Sequence, residues 1–364
     1  PHAVQIPKAN GKMRTVYVFG MKQRVLLSVL NRILSDYYSA KISPVCYSYK
    51  AGVTTISAVR DIKQGVYAGK SCTYDYGMKL DISKYFNSVS EERVKEMLEQ
   101  VFAVHERGVI YELIRVLYTI NYAESKGGVQ QEYLSLIPGV AVSSFFANYC
   151  LREVDEHFRL NNIVYARYCD DIILFGKTEE DLTKSIDYIV KVLRGYGLSI
   201  NNDKYKSYII EEEPIDFLGL CFDADSIDVS VESFKKMKHK IRVVCRAARR
   251  NVELKHKTPE KEIERVIRQF NYSWFKCYIE DRSRFGWGYY AFRFITTNKT
   301  IQQIDFYFRD MLRYIKTGKW NSGNITKMPD EKLKELGYVS LTYMYGVFKS
   351  DFEVYREYVG CLCC

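Results

Sequence analysis

Apolar positions along this chain recur with two periods, and the switches between them mark its elements. Ile6–Phe19 reads as two short strands around the turn Asn10-Gly11, with Lys8 and Arg14 on opposite arms of one basic hairpin. From Gln23 to Tyr38 the apolar residues Val25, Leu26, Val29, Leu30, Ile33 and Leu34 follow helical spacing. A loop at Tyr47–Gly52 leads into a helix from about Thr54 to Gly65. The short apolar run Met78-Lys79-Leu80 is a strand that delivers Asp81 at its end, and Ser88-x-x-Glu91 reads as a capping box for the helix beyond. A mostly helical stretch reaches about Tyr122, and Gly127-Gly128 marks a turn. Ile137-Pro138-Gly139 then opens a helix running to Phe158. Tyr165–Phe175 reads as strand, tight turn, strand, with Asp170 and Asp171 at the tip. An amphipathic helix from Asp181 ends at Gly195 as a C-cap. Short strands follow at Leu198–Lys204 and Ile215–Leu220, with a turn near Pro214. Beyond Val231 the pattern becomes long helices, over Phe234–Arg250, Thr258–Tyr278 and Thr300–Ile315, then a lysine-containing loop and a small helical cap.

Charge divides the chain unevenly. The net charge is +10, but Val231–Trp320 holds 22 Lys or Arg against 9 Asp or Glu, and the rest is slightly acidic. A positive field of that extent suits a polyanion such as nucleic acid, while a shorter run would be only a solvated helix face. Within it, Arg282–Phe294 interleaves Arg with Phe, Trp and Tyr, which suits stacked single-stranded bases and equally suits an aromatic core. The 31 tyrosines and 15% aromatic content speak against disorder. Ten scattered cysteines, clustered only at Cys361-Leu-Cys363-Cys364 and without a nearby His, suggest neither zinc nor a disulfide framework and fit a reducing compartment. No apolar run approaches the roughly 18 residues of a membrane span, so no membrane is expected. The chain begins at Pro1 and not at Met.

Asp170 and Asp171 could be no more than a solvated turn, and Asp81 no more than a turn cap. Together they form a set. Adjacent carboxylates repel unless water or a cation neutralises them. Three of them, from a strand end and a hairpin tip, are what two-metal phosphoryl transfer needs, with two divalent ions about 3.5–4 Å apart on hard oxygen ligands.

At these residues the sequence resembles the reverse transcriptases of bacterial retroelements, akin to group II intron and retron enzymes. Ile6-Pro-Lys8 through Arg14 to Arg24 is similar to their fingers segment, and Tyr49-Lys50-Ala-Gly52 to the next block. Asp81 with Phe86 resembles the first palm motif, and Gly139–Ser143 with Asn148-x-x-Leu151 the second. Tyr168-Cys169-Asp170-Asp171 is similar to the catalytic tetrapeptide, whose second residue is usually Ala. Lys204 matches the lysine of the next palm motif, and Phe217-Leu218-Gly219 resembles the primer grip. One departure is Ile137-Pro138-Gly139 where many relatives carry Pro-Gln-Gly, so the Gln that would touch the nucleotide is absent. The stretches Thr297–Asp305, Arg313–Lys319 and Leu336–Leu341 resemble the C-terminal regions of reverse transcriptases acting in phage defence, among them the type 2 enzymes that copy a partner non-coding RNA.

The resemblance implies an α+β right-hand polymerase. Fingers would span about 1–75 and a palm with an antiparallel sheet and helices about 76–230, with inserted fingers elements near 95–135. A helical thumb and C-terminal extension would fill about 231–364. It implies RNA-directed DNA synthesis with two Mg²⁺ ions, or Mn²⁺ in their place, held by Asp81 and Asp170 with Asp171 assisting. Lys204 would protonate pyrophosphate, Lys8 and Arg14 would contact the triphosphate, Phe86 would gate the sugar, and Gly139 would face the nucleotide. The partners would be an RNA template, dNTPs and the cDNA product, in a bacterial cytoplasm. Two other readings stay open: a non-catalytic RNA-binding scaffold that kept the fold, and an untemplated or protein-primed DNA polymerase.

Overall fold

The computed structural model describes all residues except 8–12, 119–121, 126–127, 132–135, 276–285, 322 and 364. Contacts divide the chain into two compact units, Pro1–Glu213 and Pro214–Cys364.

In the first unit, strands β1 (His2–Pro7) and β2 (Met13–Val18) pair antiparallel as the sequence suggested, their turn lying outside the described residues. Helix α1 (Met21–Tyr38) follows, but its buried stripe is Leu27, Leu30 and Leu34, while Val25, Leu26 and Val29 face outward. Two interleaved stripes satisfy helical spacing there, and packing selects the one that meets the core. Helix α2 (Thr55–Val66) starts at Thr54, whose hydroxyl accepts from the Ser57 amide in a capping box. The minimal hairpin β3 (Tyr67–Ala68) and β4 (Ser71–Cys72) precedes β5 (Tyr76–Asp81). Lys84 is left-handed at φ +46° and feeds one helical turn, α3 (Tyr85–Ser88). The next helix, α4 (Glu91–Val101), is capped by Ser90 rather than Ser88. Ser88 instead donates to the carbonyls of Ser83 and Lys84, because the chain is still coiled there.

Helix α5 (Val109–Tyr118) and the hairpin β6 (Tyr122–Ser125) and β7 (Gly128–Gln131) follow. The helix expected to run to Phe158 is two, α6 (Ala141–Cys150) and α7 (Arg152–Leu160), broken at Leu151. Strands β8 (Tyr165–Tyr168) and β9 (Asp171–Gly176) form the anticipated hairpin. Helix α8 (Glu179–Gly195) is closed by Gly197 at φ +70°, not by Gly195, with the Leu198 amide returning to the Leu193 carbonyl. The strand expected at Leu198–Lys204 is a bridge from Ile200 to Ile82 and then a 3₁₀ turn, Asn202–Lys204; β10 (Lys206–Ile209) comes after it. The strands assemble as β10-β5-β9-β8, all antiparallel, and β2-β1-β6-β7 form a separate sheet. The inner strands β5 and β9 supply Met78, Leu80, Ile172 and Leu174 to one core shared with α1, α4, α6, α7 and α8.

The second unit opens with a small antiparallel sheet, β11 (Ile215–Phe217), β12 (Leu220–Phe222) and β13 (Ile227–Val229). These strands group with the helices after them because the Asp228 carboxylate accepts from Thr297 and Thr300, and the Thr296 amide donates to the Ile227 carbonyl. Eight helices follow among the described residues: α9 (Val231–Lys255), α10 (Pro259–Phe275), α11 (Trp287–Phe294), α12 (Lys299–Thr317), α13 (Asn324–Lys327), α14 (Asp330–Glu335), α15 (Leu341–Ser350) and α16 (Phe352–Cys363). Their core is aromatic, with Phe270, Trp274 and Phe308 in mutual ring contact. Buried Asp305 of α12 accepts from the Tyr338 and Ser340 hydroxyls and the Leu341 amide. Arg313 is held by Asp330 and the Met328 carbonyl. No described helix is long and apolar enough to cross a membrane.

Candidate active site

Antiparallel pairing decides where the three aspartates meet. Asp81, the last residue of β5, stands in register opposite Asp171, the first of β9. The two-residue turn Cys169-Asp170 joins Tyr168 to Asp171, and the Ile82 amide donates to the Asp170 carbonyl at 3.1 Å. Residues 81, 170 and 171 are thus gathered at one end of the two central strands, as the sequence required.

The chain after Ile200 closes over Asp81. The Asn201 amide donates to the Asp81 carbonyl at 2.7 Å, and its side-chain Nδ2 donates to Asp81 Oδ1 at 3.0 Å. Asn201 Oδ1 also accepts from the Asp203 amide, capping the 3₁₀ turn that carries Lys204. Lys204 Nζ then reaches Asp81 Oδ2 at 2.5 Å. Partial burial works against the Lys204 ammonium, but its bond to Asp81 and the charges of all three aspartates win, and its pKa is raised. Asp171 shows the opposite strain: burial and the nearby Asp170 and Asp81 raise its pKa against the pull of Lys79 and Lys204.

This is a hard-oxygen donor set carrying more negative charge than its two lysines settle, and it fits a divalent cation. Among the described residues no three acidic, His or Cys side chains close into a ready cage. A site that leaves positions for substrate oxygen and water needs no such cage.

Beside the tetrapeptide lies a cleft of about 400 Å³ lined by Val16, Tyr49, Phe86, Gly139, Val140, Ala141 and Ser144. It brings together Phe86 and Gly139, two of the residues expected at the nucleotide. Gly139 has φ +92°, and a Cβ there would come within 2.9 Å of Val16, so only glycine leaves this wall open. Tyr49 ties the cleft to the turn, its hydroxyl lying 3.8 Å from Cys169 Sγ. Burial, followed by the charge of Asp170, pushes the Cys169 thiol up to about 12, so it serves as a small neutral side chain where relatives carry Ala.

Of the remaining expected residues, Lys8 lies outside the described residues, and Arg14 pairs in register with Ile6. Phe217-Leu218-Gly219 forms the β11–β12 turn in the second unit, with Leu218 at φ +52° and Gly219 at φ +85°. The Phe217 ring is fully buried and Gly219 is exposed, so that turn offers backbone, not the Phe ring, to a partner.

Residues to which the sequence reading gave no site role complete the site. Arg167, buried in β8, pairs with buried Asp155 of α7. Ser48 and Asn148 bond to each other beneath the turn, and Asn201 grips Asp81. A signal existed for Arg167, a lone charge at the centre of an apolar strand, which must find a buried partner.

With this geometry in hand, residues 6–222 match the family described as reverse transcriptase (RNA-dependent DNA polymerase). The chain belongs to the reverse transcriptase family. It is 24% identical over 274 residues to the Retron Ec48 reverse transcriptase of Escherichia coli, covering 73% of this chain and 63% of that one. This reverse transcriptase chain therefore spans less than two thirds of that relative's length. In fold it is similar to the apo telomerase from Candida tropicalis (TM-score 0.51, 12% identity, 98% of this chain and 63% of that chain covered), and the fold class is the expected right-hand polymerase.

Proposed function

We propose that this reverse transcriptase chain is an RNA-directed DNA polymerase that copies a structured non-coding RNA into cDNA, in bacterial defence against phage. The observation that carries the polymerase reading is the register pair Asp81–Asp171 with Asp170 in the adjoining turn, set beside an open cleft that Phe86 and Gly139 line. Asp81 and Asp170 would hold two Mg²⁺ ions, or Mn²⁺, with Asp171 assisting, and the ions would supply activation of the attacking hydroxyl and stabilisation of the leaving oxygen.

The chain's own groups do the rest. Asn201 orients Asp81, and Lys204, protonated at neutral pH, is the proton donor for departing pyrophosphate. Phe86 walls the sugar side of the cleft and selects against a 2′-hydroxyl. Lys8 and Arg14 contact the triphosphate, and the Phe217–Gly219 turn supports the primer. The fingers, palm and thumb limits given above belong to this proposal.

Template binding is supported by α9. Lys235, His239, Arg242, Arg246 and Arg250 are exposed at helical spacing on one face. The basic residues among them form no ion pair within the described residues, so their charge is available to phosphates. The defence reading is supported by the three C-terminal stretches that resemble defence enzymes; Asp305 in the first bonds to Tyr338 and Ser340 in the third.

Sequencing nucleic acid that co-purifies with the wild type and with Asp170→Ala/Asp171→Ala tests this. One discrete RNA in both, with complementary DNA only in the wild type, is expected. RNA alone in both samples, across growth and infection conditions, would leave a scaffold. DNA unrelated to the bound RNA would make the synthesis untemplated.

A further inference from the structure

The catalytic turn is held from outside by a closed polar network. Cys169 has φ +61°, a left-handed conformation that glycine adopts freely and cysteine does not. Both of its backbone groups are tied down. Its amide donates to Ser48 Oγ at 2.9 Å, and its carbonyl accepts from Arg167 Nη1 at 3.1 Å. Arg167 is itself fully buried, with four of its five N–H groups engaged: Nε and Nη2 donate to the two Asp155 oxygens at 2.8 and 2.5 Å, and Nη2 also donates to the Asn148 carbonyl at 2.8 Å. Asn148 closes the loop, because Ser48 Oγ donates to its Oδ1 at 2.7 Å and its Nδ2 returns to the Ser48 carbonyl at 2.6 Å. The Ser48 segment is also stitched to β8 through the Tyr47 amide on the Arg167 carbonyl and the Arg167 amide on the Val45 carbonyl.

We infer that Ser48 and Arg167 are positioning residues which hold the Cys169–Asp170 peptide in its strained form, and so aim the Asp170 carboxylate. This rests on the polymerase reading of the site. A buried guanidinium with four fixed bonds is a costly way to stabilise a sheet. Two of those bonds end outside Asp155, on the turn itself and on the residue that holds Ser48. The network therefore converts the packing of α6, α7 and β8 into one backbone geometry at the carboxylate. Lysine cannot replace the planar fork, because its single nitrogen cannot serve Asp155, Asn148 and Cys169 in their present places.

The test uses the full chain. Amide exchange is measured without metal over residues 165–175, and primer extension is measured on an RNA template with a DNA primer. Ser48→Ala is expected to stay folded, to exchange faster at 168–171 alone, and to lose about 10–100-fold in kcat with KM for the primer-template unchanged. Adding Cys169→Gly in that background is expected to recover much of kcat, since glycine takes the positive φ without restraint. Arg167→Lys is expected to act in the same direction; should it fail to fold, the Ser48 arms decide. A folded Ser48→Ala with kcat within about twofold of wild type, or faster exchange spread across β8 and β9 with no rescue by Cys169→Gly, overturns the inference. A wild type that extends no primer on any template defeats the polymerase reading itself, a different and separately visible result.

Discussion

Burial, with the neighbouring Asp170 and Asp81, raises the Asp171 pKa, against the opposing charges of Lys79 and Lys204. Because the folded value lies above the ordinary 3.8, the folded state loses stability as pH rises from there through the raised value. Asp171→Asn removes that loss. In chelator at pH 7 it should melt higher than wild type, by about 2–4 °C for each kcal/mol recovered, and the gap should shrink near pH 4 or on adding Mg²⁺. Equal melting curves at pH 7 would mean that the carboxylate is already compensated. Lys204 makes the complementary case: its pKa lies above 10.5, so it remains a charged acid throughout the neutral range. Lys204→Ala should lower kcat by about 10²-fold with KM for dNTP little changed. A raised KM at intact kcat would instead make Lys204 a binding group. At this scale the aspartates were legible because adjacency and apolar flanks are local facts. Asn201 and Ser48 were not, since their roles exist only once chain segments more than a hundred residues apart meet.

Element boundaries show where local pattern stops being informative. The spacing placed the cap at Ser88, and the left-handed Lys84 moves it to Ser90 by adding a turn of helix that consumes Ser88. Ser90→Ala should therefore cost about 1 kcal/mol in denaturant unfolding, and Ser88→Ala clearly less. The stretch before Lys204 reads as strand from its alternation, yet a continuous strand would not curl back to bring that ammonium onto Asp81, and the 3₁₀ turn does. Helix α9 was legible as basic and helical, and the structure adds that Lys235, Arg242, Arg246 and Arg250 share one exposed stripe. Arg242→Ala and Arg246→Ala should each flatten the slope of log affinity against log salt by roughly 0.7–0.9 for RNA-containing duplex. An unchanged slope would place the nucleic acid elsewhere.

At the scale of the molecule, two separate cores underlie the two units, one aliphatic-rich around β5 and β9, the other built on Phe270, Trp274 and Phe308. Calorimetry should resolve two unfolding transitions, with Mg²⁺ raising only that of the unit holding Asp81, Asp170 and Asp171. A single transition that Mg²⁺ shifts whole would mean that the units unfold as one. The fold class was legible through the resemblance that the motifs carry in their order along the chain; the division at Glu213 was not, because no change of composition marks it. The pairing of β5 with β9 also sets a clock. Its two ends are about 90 residues apart, which at about 5–20 residues per second of synthesis separates the first carboxylate from the others by roughly 5–20 s. Until β9 has been made, Asp81 ends a strand with no facing carboxylate, and the lysine that covers it arrives later still. The polymerase centre proposed above is thus incomplete until synthesis has passed Lys204.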